Sequence, residues 1–348
     1  MPSKRLHYSS TVTDVAREAG VSSATVSRVL NRPYLVREST RERVLKAMEA
    51  CGYVTNALAR GLSSRRSSTV GIIIPTITNP IFASSTGGAQ SVFQSHDYTL
   101  FMGATDYDRV QEARLIRSFM EQQVDGLILT GYERDPGLYE DLLRRNFPFI
   151  VTWTTVENKS VPFIGFDNHR AAYRMTDHLI DLGHRRIGMI CGETALSDRA
   201  KQRLEGYRQC LKERGIPFAQ DLVIRRPYTF VDGKEAVWRM LALSPPPTAI
   251  FCANDILAIG AAHGIQEHGL DVPADVSVAG FDDLGFASYI SPPLTTVRVP
   301  AREMGQRAAE ALLKAIGEGG PVSARYVLDT DIIIRESTAP YVRTSIGV

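Results

Sequence analysis

The sequence predicts a small all-α helix-turn-helix domain at the N-terminus, followed by an α/β body large enough for two parallel sheets in two lobes. Three observations carry this. Residues 1–66 are basic and place apolar residues at helical spacing. The rest of the chain is mildly acidic. That rest alternates short apolar strands with helical stretches, the βαβα rhythm of parallel sheets with crossover helices.

A length of 348 residues exceeds one typical core and suits two or three units. With 44% hydrophobic and 22% charged residues the chain has the balance of a folded globular protein. No apolar run of about 18 residues exists, so no membrane span is expected. Met1–Ser10 is polar and basic with no apolar region after it, so the expected location is the cytoplasm, at the nucleoid. The four cysteines lie far apart with no metal-ligand spacing. They are read as reduced thiols, and neither a metal nor a cofactor is expected.

The net charge of +2 hides an asymmetry. Residues 1–66 hold twelve Lys and Arg against five Asp and Glu, a formal +7, which leaves −5 for the remainder. A basic head on an acidic body points to a polyanion partner for the head.

Within the head, Thr11 and Asp14 can cap a first helix. Val12, Val15, Ala16 and Ala19 form its apolar face, and Gly20 ends it. Ser22 can cap a second helix whose inner face is Val26, Val29 and Leu30. Small Ala16, turn-forming Gly20 and β-branched Val26 sit at the offsets a helix-turn-helix requires. An ordinary helical hairpin would share that pattern. The outer face of the second helix distinguishes them: Ser23, Ala24, Thr25, Ser27 and Arg28 are small or hydrogen-bonding, as a helix in the major groove needs. Arg28 can bond a guanine or a phosphate, and Ala24 can touch a thymine methyl. A third helix is expected to begin with a Ser39/Glu42 capping box, with Val44, Leu45, Met48 and the later Tyr53 on its apolar side.

The segments DVAREAGVSSATVSRVLN and TRERVLKAMEACGYVTNALARGL resemble the LacI/GalR family of bacterial repressors. That resemblance implies a hinge helix over Asn56 to Leu62, formed on operator DNA, with Leu62 wedged into the minor groove. The residues expected to meet DNA are Thr11, Ser22, Ser23, Ala24, Thr25, Ser27, Arg28, Asn31, Tyr53, Asn56, Ala59 and Leu62. Two departures weaken the hinge. Thr55 stands where the family usually has proline, and Gly61 costs about 1 kcal/mol against alanine inside a helix. The implied domains are 1–55 for the head, 56–68 for hinge and linker, and 69–340 for the body.

Strands in the body are expected at Val70–Ile74, Thr99–Met102, Gly126–Leu129, Phe149–Thr152, Phe163–Phe166, Arg186–Ile190, Leu222–Arg225, Ala249–Cys252 and Ser277–Phe281. Helices are expected at, for example, Arg109–Gln122, His169–Asp181 and Gln202–Arg214. No phosphate loop, GxGxxG, GxSxG or HExxH motif occurs, and the histidines show no metal spacing. Asp282 and Asp283 are adjacent, a poor acid/base pair. An enzyme is therefore not expected.

The body, through GIIIPTITNPIF, VDGLILT, GFDNHRAAYRMTDHLIDLGHRRI, RLEGYRQCL, FCANDILAIG and GFDD, also resembles that family and the periplasmic sugar-binding proteins. This implies a first lobe of 69–166 and 300–328, a second of 167–297 and 329–340, and an effector in the cleft between them. The matching cleft residues are Phe82, Asp167, Arg203, Tyr228, Asn254 and Asp282. Plainer roles stay open: a surface ion pair for Arg203, the core for Phe82, helix caps for Asp167 and Asn254. Trp153 departs from the acidic or amide residue of many relatives. It can stack on a sugar but cannot accept a hydroxyl proton. It leaves Arg203 one fewer neutralising partner, which favours an anionic ligand. GFDNHRAA with VDGLILT is similar to gluconate-type repressors, which implies a sugar acid.

The expected function is a homodimeric, ligand-responsive repressor of carbohydrate or sugar-acid genes, partnered by operator DNA and a sugar or sugar acid. The alternatives are a sugar-binding protein without a DNA role and a regulator that needs no effector.

Overall fold

The computed structural model describes residues 10–31, 33–53, 66–133 and 136–342, and the side chain of Asn31 is not among what it describes. The hinge residues Thr55, Asn56, Ala59, Gly61 and Leu62 lie outside the described residues. The chain divides into two compact units, 1–69 and 70–348.

The first unit is built from α1 (Val12–Glu18), α2 (Ser23–Asn31) and α3 (Glu38–Ala50). Thr11 and Asp14 form a reciprocal capping box at α1. The Ser22 hydroxyl accepts a 3.2 Å bond from the Thr25 amide at the start of α2. Gly20 turns between them with φ +61°, where a side chain would be strained. Val15, Ala16, Ala19, Val26, Val29, Val44 and Ala47 make the core, with Tyr53 packed against it. Two expectations fail at α3. Its N-cap is Arg37, without a side-chain bond, so Ser39 and Glu42 lie inside the helix rather than capping it. Leu45 points outward at 50% exposure, because Val44, Ala47 and Met48 already fill the inner face.

The second unit contains two six-stranded sheets. In chain order it runs β1 (Thr69–Ile74), α4 (Pro80–Gln94), β2 (Thr99–Ala104), α5 (Arg109–Glu121), β3 (Gly126–Thr130), α6 (Pro136–Arg144), β4 (Phe149–Thr152) and β5 (Phe163–Phe166). It continues with α7 (Asn168–Asp181), β6 (Ile187–Cys191), α8 (Asp198–Glu213), β7 (Val223–Arg225), α9 (Phe230–Leu241), β8 (Ala249–Cys252), α10 (Asp255–Glu267) and β9 (Ser277–Asp282). It ends with β10 (Thr295–Arg298), α11 (Ala301–Glu318), β11 (Arg325–Leu328) and β12 (Asp331–Ile333).

The strand orders are β11-β5-β4-β3-β1-β2 and β12-β10-β9-β8-β6-β7. Strands β11, β5, β4, β3 and β1 pair in parallel, as do β10, β9, β8, β6 and β7, while β12 runs antiparallel to β10. The chain thus passes from the first sheet to the second after β5, returns through α11 and β11, and leaves again for β12. Strands β10, β11 and β12 were not expected, being short and half polar. Helix α8 starts four residues before its expected Gln202, because Ser197 caps it through the Ala200 amide at 3.2 Å.

Helix α11 crosses α4 with backbone nearly touching backbone. A Cβ on Gly305 would lie 1.9 Å from the Ser85 carbonyl oxygen, and one on Gly88 would lie 2.2 Å from that of Arg302. Replacing Gly305 by Val is expected to lower the stability of the second unit by about 2–3 kcal/mol. Urea unfolding checks this; an unchanged midpoint would contradict the close crossing.

Candidate functional site

Ligands in open α/β sheets sit beyond the carboxyl ends of the strands. Here those ends converge from both sheets onto one group of side chains. Asn79 follows β1, Tyr107 follows β2 and Trp153 follows β4, while Ser197 and Arg199 follow β6, Tyr228 follows β7, Asn254 follows β8 and Asp282 ends β9. With Ile81, Phe82 and Arg203 they surround a space of about 20 Å³. That is room for about one water, so a sugar ring enters only if the sheets part.

Arg203 is buried at the centre. Its Nε donates to Asn168 Oδ1 at 2.9 Å, its Nη1 donates to the Ala253 carbonyl, and its guanidinium carbon lies 3.6 Å from the centre of the Phe281 ring. Burial pushes its pKa down, and the nearby Asp282 carboxylate opposes that. Trp153 supplies no charge to this arginine, as expected of that side chain, and the nearby opposite charge is Asp282. Asn168, a carbonyl and an aromatic face hold it, which leaves Nη2 for a ligand.

Asp282 is 3% exposed. Burial raises its pKa to about 7, against the pull of Arg203, a hydrogen bond from Asn79 and the charge of Arg199. Its backbone φ of +118° is strained for a non-glycine residue, and Trp153 stands at φ +74° in the left-handed region. The Trp153 carbonyl accepts from Asn168 Nδ2 at 2.8 Å, and its ring meets Phe82 edge-on with centroids 4.9 Å apart. Phe82 is both core and cleft wall.

Asn254 is both a cap and a cleft residue. Its Oδ1 accepts from the Leu257 amide at 2.9 Å at the start of α10. Its Nδ2 is buried without a hydrogen-bond partner, a cost a ligand oxygen would relieve. Asp167 lies apart from the group: its carboxylate accepts from the Arg170 amide at 2.8 Å and caps α7. The adjacent Asn168 is the residue that reaches inward. Asn79, Tyr107, Asn168, Ser197 and Arg199 were missed by motif reading. Their positions just past strand ends were the available signal.

A latch joins the sheets beside this group. Asp198 of α8 accepts from the Tyr132 amide beyond β3 at 2.9 Å and from Arg199 Nη1 at 2.9 Å. Arg109 pairs with Glu133 at 3.2 Å and donates to the Ala195 carbonyl.

In the first unit, Thr11, Ser22, Ser23, Ala24, Ser27 and Arg28 are exposed, Thr25 is half-buried, and Tyr53 sits against the core. The outer face of α2 is therefore open along the expected residues.

Residues 11–56 match the family of bacterial regulatory proteins called lacI, and residues 176–338 match a periplasmic binding protein-like domain. The HTH-type transcriptional repressor CytR of Escherichia coli is 34% identical, over 97% of this chain and 99% of that protein. The chain belongs to the lacI family. It is a transcriptional regulator with the DNA-binding domain of that family. A lacI-family regulator from Silicibacter pomeroyi matches with a TM-score of 0.87 at 27% identity, over 95% of this chain and 99% of that one. A lacI-family regulator from Enterococcus faecium with bound ribose matches with a TM-score of 0.68 at 28% identity, over 79% of this chain and all of that one. Among the described residues no helix of this lacI-family chain is long and apolar enough to cross a membrane.

The raised pKa of Asp282 has a signed consequence. Between about pH 4 and pH 7 the folded chain holds a proton there that the unfolded chain releases. Stability from this group is greatest below about pH 4 and falls as pH rises to about 7. Asp282→Asn is expected to flatten the decline measured by urea unfolding at pH 5 and 7.5. Equal declines in both proteins would contradict the burial of an ionisable Asp282.

Proposed function

We propose that this regulator is a cytoplasmic homodimeric repressor that reads a palindromic operator and responds to a sugar or sugar acid held between the two sheets. The observation that carries the effector reading is the buried, unpartnered Nδ2 of Asn254, facing a chamber it shares with Arg203 and Asp282. An amide donor, the remaining guanidinium donors and a carboxyl group suit a small polyol, whose hydroxyls both donate and accept. The ribose bound by the Enterococcus faecium relative supports that class. The proposed effector residues are Phe82, Trp153, Arg203, Tyr228, Asn254 and Asp282, with Asn168 positioning Arg203. A ligand that parts or closes the sheets would change the placement of two heads.

Support for a second copy comes from exposed apolar residues: Phe101 and Met102 on edge strand β2, and Phe230 and Val231 at the start of α9. The proposed domain limits remain 1–55, 56–68 and 69–340.

On DNA, Ser23 to Arg28 would face the major groove, and Arg28 would contact a base or a phosphate. Arg28→Ala is expected to weaken binding to a fragment of the chain's own promoter by about tenfold or more in a gel shift at fixed salt. Unchanged affinity would rule out that role.

A further inference from the structure

We infer that the cleft continues into an outer subsite for a planar aromatic ring, so that the effector is an aryl or heteroaryl glycoside rather than a free sugar. This rests on the reading of the cleft as the effector site.

A second cavity of about 210 Å³ adjoins the inner chamber and shares Tyr107, Ser197 and Tyr228 with it. The two tyrosine rings, with centroids 6.0 Å apart, stand between the two spaces. Gly192, Leu196 and Pro227 add apolar wall, Asp106, Glu193 and Arg226 add polar groups, and Leu196 is 47% exposed. An apolar cavity of about 150 Å³ holds benzene, so this one has room for a single six-membered ring. A ligand passing the tyrosine pair would keep its polyol part inside and its ring outside.

The chemistry favours an aromatic ring over a second sugar. A sugar would need several partners for its hydroxyls. The two carboxylates of the lining, Asp106 and Glu193, belong to solvent-exposed residues, and the other polar residues are engaged elsewhere. The Ser197 hydroxyl caps α8, Arg226 donates to the Arg225 carbonyl at 3.3 Å, and its Nε lies 4.0 Å from Asp232. The faces that remain are aromatic and aliphatic, which suit stacking. Their placement is held at a cost. Asp106 and Tyr107 both take left-handed backbone angles, φ +50° and +63°. Gly192 must lack a side chain, since a Cβ there would lie 2.4 Å from Tyr228 Oη.

Calorimetry on the full chain tests this with methyl and phenyl β-glycosides of glucose, galactose, ribose and glucuronic acid, plus cellobiose and lactose. For the sugar that binds, the phenyl glycoside is expected to bind about tenfold or more tightly than the methyl glycoside. Leu196→Asp should remove that gain and leave the methyl glycoside unaffected, with an unchanged melting curve. Equal affinity of the two glycosides, a disaccharide binding more tightly than the phenyl glycoside, or a gain that survives Leu196→Asp would overturn the outer subsite while leaving the cleft reading intact. Binding of no compound in either series would overturn the cleft reading and the subsite with it.

Discussion

The second unit is organised around one costly group, the buried guanidinium of Arg203. A cation out of water is tolerated only where hydrogen bonds and opposite or π charge replace its hydration. Asn168 supplies an oxygen, Ala253 a carbonyl, Phe281 a ring face and Asp282 a carboxyl nearby. These come from α7, the end of β8 and β9, so the arginine ties one helix to two central strands. Asn168 in turn holds the Trp153 carbonyl, which extends the tie to the other sheet. Asp282 pays for its position in burial and in an unfavourable backbone angle. Strained, buried and partly unsatisfied groups gathered in one place mark a site built for something other than stability.

Two kinds of contact hold the sheets together around that site. Across the latch, Asp198 accepts from the Tyr132 amide, while its buried partner Arg199 is its neighbour in α8, so opening this contact breaks one hydrogen bond between the sheets and leaves the ion pair intact. The α4–α11 crossing at Gly88 and Gly305 belongs to one sheet only and tolerates no added atom.

Much of this was legible in the sequence. Capping at Thr11 and Ser22, the turn at Gly20 and the core of Val15, Ala16 and Val26 followed from local chemistry. Most of the nine expected strands were legible because buried parallel strands read as continuous apolar runs, and the exposed edge strand β2 was legible because it too is an apolar run. Strands β11 and β12 were not, because one is mostly exposed and the other is a three-residue edge. At the cleft, Arg203, Asn254 and Asp282 were found through their motifs. Asp167 was matched to the cleft and Asn168 was not considered, since sequence does not say which of two neighbours faces inward and which caps the helix. Tyr107 and Arg199 carry no motif; only their distance in space from Asp282 and Tyr228 reveals them.

The central claim is that the cleft around Arg203 governs the DNA-binding head. The most direct test measures the affinity of the full chain for its promoter DNA with and without a sugar that binds it. The account predicts a change within about 5- to 150-fold in the wild-type chain. It predicts no change for Asp282→Ala, whose affinity without sugar should match the wild type. A sugar-dependent change that persists in Asp282→Ala would contradict it.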